Sequence, residues 1–199
     1  MAGTRVVLAS ASPRRHELLD LVGISHDVDP ADIDESMHGA ELPPAHVERL
    51  AREKALRVAS RQSGALVIAA DTVVVLDSQI MGKPRTEADA VSMLTALSGA
   101  THTVVTGMAC AFNGDLVSSV DVVSVTFRTL SQDEIKEYVA TGEPMDKAGS
   151  YGIQGYGATI VRRIDGDYFA VMGLSLVRLV EVMQRLRVRY HFAGAMRYT

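Results

Sequence analysis

The chain has no tryptophan, a single cysteine, and only 5% aromatic residues among its 199 positions. One cysteine, Cys110, excludes an internal disulfide and a cysteine-only metal cage, and it reads as a small buried hydrophobe. No run approaches the roughly 18 unbroken apolar residues of a membrane helix. The first ten residues contain four apolar residues in a row, Val6 to Ala9, too few for the core of a secretion signal. A soluble cytoplasmic protein with no membrane partner is expected. An excess of basic charge is also missing. Twenty Lys+Arg stand against 24 Asp+Glu, a formal net charge of −4, which argues against life on a nucleic-acid backbone. That balance leaves room for a small anionic ligand, which needs only a local cluster of cations. There is no internal repeat and no low-complexity segment, and neither a Rossmann glycine fingerprint nor a Walker phosphate loop follows the first apolar run.

What is present is a globular composition, 47% hydrophobic and 22% charged, at a length suited to one domain or one domain with two lobes. Short apolar runs alternate with helical patterns, which reads as α/β or α+β. Val6 to Ala9 suits a strand. Ser12 and Pro13 then open a helix that runs to Val22 before Gly23. Residues 30–43 read as an acidic loop, and a helix spans Pro44 to about Arg61. Ala65 to Leu76 reads as a long strand. Thr86 to Asp89 forms a capping box for a helix that stops at Gly99. Asn113-Gly114 marks a hairpin between Thr101–Phe112 and Leu116–Phe127. Ser131 to Glu134 caps a helix to about Ala140. Asp165-Gly166-Asp167 suggests a second hairpin between Ala158–Ile164 and Tyr168–Met172, and a last helix covers Leu176 to about Leu186. Hairpins require antiparallel pairing, so the sheet is expected to be mixed. From Gln184 onward Arg185, Arg187, Arg189 and Arg197 occur with no acid, which reads as a basic, partly frayed tail over 188–199.

Several residues fit structure alone poorly. Ser10-Ala-Ser12-Pro-Arg14-Arg15 sits where a strand hands over to a helix, and its hydroxyls, guanidiniums and free backbone N–H groups suit a phosphate. Lys54 lies three and four residues from Ala51 and Leu50 and four from Val58, in the middle of an apolar stripe. Its ammonium either snorkels to the surface or is aimed at an anion or a carboxylate. Asp71, with Thr72 beside it, interrupts the most hydrophobic stretch of the chain and needs a cation, a metal or several donors. It is either a structural ion pair, with Lys54 as the candidate partner, or a metal-binding or general-base carboxylate. Gly82-Lys83-Pro84 presents one lysine on a constrained turn. Residues 146–157 are glycine-rich and carry Lys147, Tyr151 and Gln154, the last two of base-reading type. Arg14, Arg15, Lys54, Lys83 and Lys147 together suit a polyphosphate. Glu35 and Asp71 suit a divalent cation, Mg2+ or Mn2+, which takes one or two carboxylates plus phosphate oxygens. A nucleoside triphosphate with a divalent metal satisfies both sets.

Ser10-Ala-Ser-Pro-Arg-Arg15, Ala70-Asp-Thr72, Gly82-Lys-Pro84, Asp146-Lys-Ala-Gly-Ser-Tyr-Gly-Ile-Gln-Gly155 and Gly166-Asp-Tyr-Phe169 stand in the order and approximate spacing of Maf-like proteins, which the chain resembles over roughly residues 4–186. The resemblance implies an inosine-triphosphatase-like α/β architecture, a mixed sheet flanked by helices in two lobes with a central cleft. It also implies one nucleotide-pyrophosphatase domain over residues 1–187 and a homodimer. The implied activity is hydrolysis of a nucleoside triphosphate to the monophosphate and pyrophosphate, with a house-cleaning or division-linked role. The 146–155 pattern looks like the branch that prefers dTTP and UTP, with modified pyrimidine nucleotides as further candidates. The alternatives are a pyrophosphatase for 7-methyl-GTP or another non-standard nucleotide, and a nucleotide-binding regulator of septum formation. By the family motif Asp71 is the proton acceptor, Arg14, Thr72 and Gln154 are specificity positions, and Ser10, Glu35, Lys54 and Lys83 match further functional positions. The family's Gly-Leu-Pro is Gly173-Leu174-Ser175 here, where the serine can cap the last helix.

Overall fold

The structure is a computed structural model that describes residues 4–192 and 196–198. Its main sheet has seven strands in the order β2 (Asp27–Val28), β1 (Val6–Leu8), β3 (Leu66–Leu76), β5 (Thr101–Phe112), β6 (Asp115–Phe127), β7 (Val161–Asp165), with β4 (Gln79–Met81) added on β3. β1 (Val6–Leu8) pairs in parallel with β2 (Asp27–Val28) and with β3 (Leu66–Leu76), placing Val7 opposite Asp27 and Val67. β4 (Gln79–Met81) turns back antiparallel on β3, and β7 (Val161–Asp165) runs antiparallel to β6 (Asp115–Phe127). The sheet is therefore mixed, as the hairpin signals require. β5 (Thr101–Phe112) meets β6 through Asn113 and Gly114, whose φ values of 51° and 91° give the left-handed turn that matches strand twist.

The chain divides into two compact units. The first comprises residues up to Asp71, Thr106–Asp121 and residues from Gly173 onward; the second comprises Thr72–Val105 and Val122–Met172. In the first unit α1 (Pro13–Leu21) follows β1, and α2 (Pro43–Ala59) precedes β3. Both helices carry proline in their first turn, where a missing N–H costs nothing. α2 buries His46, Val47, Leu50, Ala51, Lys54, Ala55 and Val58, a stripe of period 3.6 with the lysine inside it. Ala51, Ala55 and Val58 pack with Val7, Ala9, Val67, Ala69, Ala109 and Ala111. These small residues bring α2 close to the strands, and Gly107 takes this furthest. A Cβ there would lie 2.4 Å from the Val47 carbonyl oxygen. Cys110 is fully buried, and burial pushes its thiol up to about 12, which makes it inert.

The second unit has its own core, in which Leu94, Leu97, Val125, Phe127, Ile135 and Tyr151 meet. α3 (Glu87–Leu97) and α4 (Gln132–Ala140) flank it. Both begin with the complete capping boxes that the sequence spells, Thr86 with Asp89 and Ser131 with Glu134. Two expectations change. Tyr168–Met172 is a short helix, α5, rather than the return strand of a hairpin. The Asp167 carboxylate accepts from the Phe169 N–H at 2.8 Å and starts that helix, which ends the chain reversal before a strand can pair. The C-terminal segment is not simply frayed either. After α6 (Leu176–Arg185), β8 (Val188–Tyr190) pairs antiparallel with β9 (Met196–Tyr198), and the Tyr190 hydroxyl donates to the Val22 carbonyl at 2.8 Å. Residues 193–195 and 199 of the expected tail lie outside the described residues. No helix among the described residues is long and apolar enough to cross a membrane.

Candidate active site

Lys54 and Asp71 answer one question left open by the sequence. The Lys54 Nζ donates to Asp71 Oδ1 at 2.7 Å and lies 2.6 Å from Glu35 Oε1. The lysine is 7% exposed and the aspartate 8%, whereas the Glu35 side chain is 59% exposed. The ammonium does not snorkel: it stands between two carboxylates, one on β3 and one on the loop before α2. A buried cation with a single lost partner typically costs about 3–5 kcal/mol, so this double pairing is what lets a lysine occupy the apolar face of α2.

Arg15 joins the same unit from the start of α1. Its Nε donates to the Gly173 carbonyl at 2.8 Å and its Nη1 to Ser10 Oγ at 3.1 Å. Ser10 Oγ also accepts from the Ser12 N–H at 3.2 Å, so the serine caps the turn that leads into the helix. Burial lowers the Arg15 pKa. Asp71 raises it, Arg14 lowers it further and Glu35 raises it. Ser10, Arg14, Arg15, Glu35, Lys54 and Asp71 are thus one electrostatic neighbourhood of two acids and three bases.

Two residues that hold this arrangement have no counterpart among the sequence signals. Arg49 on α2 grips Glu41 through Nε at 3.0 Å and Nη2 at 2.6 Å, and also donates to the Ser36 carbonyl at 3.0 Å. These bonds pin residues 36–41, and hence Glu35, to the same helix that carries Lys54. The Arg49 hydrogen bonds hold the Glu41 carboxyl well below the usual range. An Arg eight residues after a Glu across a helix start could have suggested the pair, but nothing in the spacing identifies its role.

In the second unit Thr72 follows Asp71 on β3, half-buried. Lys83 is exposed on the turn after β4. That turn is tied to the glycine-rich segment, because the Gly149 N–H donates to the Gly82 carbonyl at 3.0 Å. Gly149 has φ +68°, and a Cβ there would meet Val74 at 2.9 Å, so both backbone angle and space demand glycine. The segment is not a flexible loop: it folds as short 3-10 turns around one carboxylate. Glu143 accepts from the Tyr138 hydroxyl at 2.8 Å, the Tyr156 N–H at 2.9 Å and the Gly157 N–H at 3.0 Å. Burial acts to raise its pKa, yet these bonds with the Lys147 charge leave it lowered on balance. Lys147 is engaged with the Asp146 carboxylate at 2.7 Å and the Glu143 carbonyl. Gln154 is exposed, in extended backbone just before the turn Gly155–Thr159.

Tyr151 departs from expectation. Its ring is 6% exposed and stands edge-on to Phe127 and His102, so it is a core residue rather than a platform for a base. Its hydroxyl pairs with His102 Nε2 at 2.8 Å. Burial lowers the pKa of His102 from 6.5 to about 4. An unfolded chain therefore binds a proton between those values that the folded one refuses, and stability rises with pH across that window. The difference is on the order of 3 kcal/mol. We expect urea midpoints to fall as pH drops from 6.5 to 4, and His102→Gln to flatten that slope. An unchanged slope in the variant would assign it to other groups.

Comparison with known proteins places the chain in a family. Residues 5–186 match the family model described as Maf-like protein. A dTTP/UTP pyrophosphatase of Aquifex aeolicus is 48% identical over 92% of this chain and 96% of its own length. One from Moorella thermoacetica is 50% identical over 90% of this chain and 94% of its own. The solved structure of a HAM1 protein from Coxiella burnetii matches with a TM-score of 0.51 at 18% identity, covering 92% of this chain and 99% of that one, a likeness of fold. With the family model matched over residues 5–186 and identity near one half sustained along almost the whole chain, this protein belongs to the Maf family.

Proposed function

We propose that the protein hydrolyses dTTP and UTP to the monophosphate and pyrophosphate. The observation that carries this reading is the buried Lys54 held between Asp71 and Glu35, with Arg15 electrostatically coupled to both acids. Relatives of near 50% identity that bear the name dTTP/UTP pyrophosphatase supply the substrate.

Water attacks the α-phosphorus, the bond from that phosphorus to the oxygen bridging it to the β-phosphate breaks, and pyrophosphate leaves with the electron pair. We assign Asp71 as the group that takes the proton from water. Its Oδ1 accepts from Lys54, and we assign Oδ2 as the oxygen that takes the proton. Arg14, Arg15 and Lys83 neutralise charge on the phosphates. Gln154 offers one donor and one acceptor, which match O4 and N3–H of uracil or thymine. Lys147, engaged with Asp146, orders the segment that carries Gln154. Thr72 is assigned to nucleotide specificity by the family motif.

Two carboxylates converging on one cation are the donor set that Mg2+ or Mn2+ takes together with phosphate oxygens, so Glu35 and Asp71 fit such an ion. When bound, it would withdraw negative charge from the phosphate oxygens. The setting that goes with this reading is a homodimer in the cytoplasm.

Pyrophosphate release from a panel of UTP, dTTP, CTP, 7-methyl-GTP and ITP, with and without Mg2+, tests the reading. UTP and dTTP are expected to turn over fastest, and only with the ion. A preference for the methylated purine would overturn the assignment of substrate, and nucleotide binding without turnover would overturn the reaction.

A further inference from the structure

Three side chains converge at α1 that the hydrolytic site does not use. His16 and Asp20 lie one turn apart on the helix, with His16 Nε2 3.2 Å from Asp20 Oδ2. His26, just before β2, reaches back so that its Nε2 is 2.7 Å from His16 Nδ1, and its Nδ1 lies 3.9 Å from Asp20 Oδ1. One ligand atom from each of the three residues falls within 4.8 Å of the others.

The hydrogen bonds decide the tautomer. His26 Nδ1 faces the Ile24 carbonyl at 2.8 Å, and a carbonyl can only accept, so Nδ1 carries the hydrogen. In the neutral ring the Nε2 lone pair then points at His16. A backbone carbonyl that orients an imidazole through one nitrogen while the other is presented outward is the support commonly found behind metal-ligating histidines. The His26 side chain is only 1% exposed, whereas that of His16 is 50% exposed. The loop bearing His26 is also held in place. Gly23 N–H donates to Asp20 O at 2.9 Å, Ile24 N–H to Leu19 O at 2.9 Å, and the Tyr190 hydroxyl to Val22 O.

We propose that His16, Asp20 and His26 form a binding site for a divalent first-row transition ion of the Zn2+ class. Two imidazoles and one carboxylate are the ligand number and type of an open tetrahedral site, with solvent at the fourth position. Zn–N bonds of about 2.0–2.1 Å at a tetrahedral angle place two ligand nitrogens about 3.3 Å apart. The present 2.7 Å contact therefore has to open by roughly half an ångström. Rotation of His16 on its exposed side supplies that movement, while His26 stays fixed. Nitrogen ligands disfavour Mg2+, so this site and the carboxylates at Lys54 call for different ions.

Metal-free full-length protein, prepared with a chelator, tests this by titration with Zn2+ alone and with Co2+ alone. One equivalent of Co2+ should bind with a visible absorption band of tetrahedral type, and Zn2+ should displace it and raise the melting temperature. His26→Gln and Asp20→Asn should each weaken Zn2+ binding at least tenfold and remove the thermal shift. His16→Ala, at the exposed ligand, provides the same readout should a substitution at His26 disturb the fold. Unchanged stoichiometry and affinity in His16→Ala and Asp20→Asn would overturn the proposal, as would displacement of Zn2+ by millimolar Mg2+.

Discussion

Asp71→Asn is expected to lower pyrophosphate release from UTP by about 10²–10⁴-fold, the usual worth of a positioned general base. The substitution keeps the shape of the side chain and leaves an oxygen that can still accept from Lys54, but the amide cannot take a proton from water. It also removes the charge of one of the lysine's two partners. Lys54 keeps Glu35 at 2.6 Å, so the ammonium is not stranded. Most of the loss should therefore appear in kcat, with nucleotide binding retained and the urea midpoint lowered only modestly. Steady-state pyrophosphate release, calorimetric nucleotide titration and urea unfolding on the same preparation separate these terms. Turnover at the wild-type rate would remove Asp71 as the base.

Gly107→Ala should lower stability strongly for the addition of a single methyl group. The new Cβ would lie 2.4 Å from the Val47 carbonyl oxygen, 2.5 Å from its carbon and 2.7 Å from the Glu48 nitrogen, all backbone atoms of α2. Backbone cannot rotate away as a side chain can, so the helix or the strand must shift, at a cost of about 1–3 kcal/mol or more. Activity should fall as well, because Lys54 lies seven residues, two turns, beyond Val47 on the same face. Gly82→Ala is the control for stability, since a Cβ there meets nothing within 4 Å. Lower urea midpoints for Gly107→Ala than for Gly82→Ala are expected, and equal midpoints would show that α2 packs less tightly than described.

Both predictions concern the same helix, yet only one of them could have been written from sequence. Lys54 and Asp71 stand out because a charge in an apolar stripe or an apolar strand contradicts the pattern around it, and the contradiction is visible in one dimension. The capping boxes at Thr86 and Ser131 and the Asn113-Gly114 turn are equally local. The closeness of Gly107 to Val47 is not, because 60 positions separate them and glycine carries no side chain to signal a neighbour. The bond from Arg15 to the Gly173 carbonyl spans 158 residues, and a backbone acceptor leaves no trace in residue type. Tyr168–Met172 is ambiguous for another reason: five residues are too few to separate a period of 2 from one of 3.6. Tyr151 shows the converse error, where an aromatic in a glycine-rich stretch reads as a ligand platform but supplies core.

The division into two units also sets an order of events during synthesis. The chain passes between them four times, at 71/72, 105/106, 121/122 and 172/173. The unit that contains the N-terminal strand therefore cannot be finished until the residues from Gly173 onward have been made, since they belong to it and Arg15 bonds to the Gly173 carbonyl. The unit that starts at Thr72 has all its residues once Met172 is added. On the ribosome, the segment carrying Ser10 to Asp71 emerges before the later segments of its own unit have been made. Lys54 and Asp71 leave the ribosome before the residues from Gly173 onward, which complete the unit that holds them.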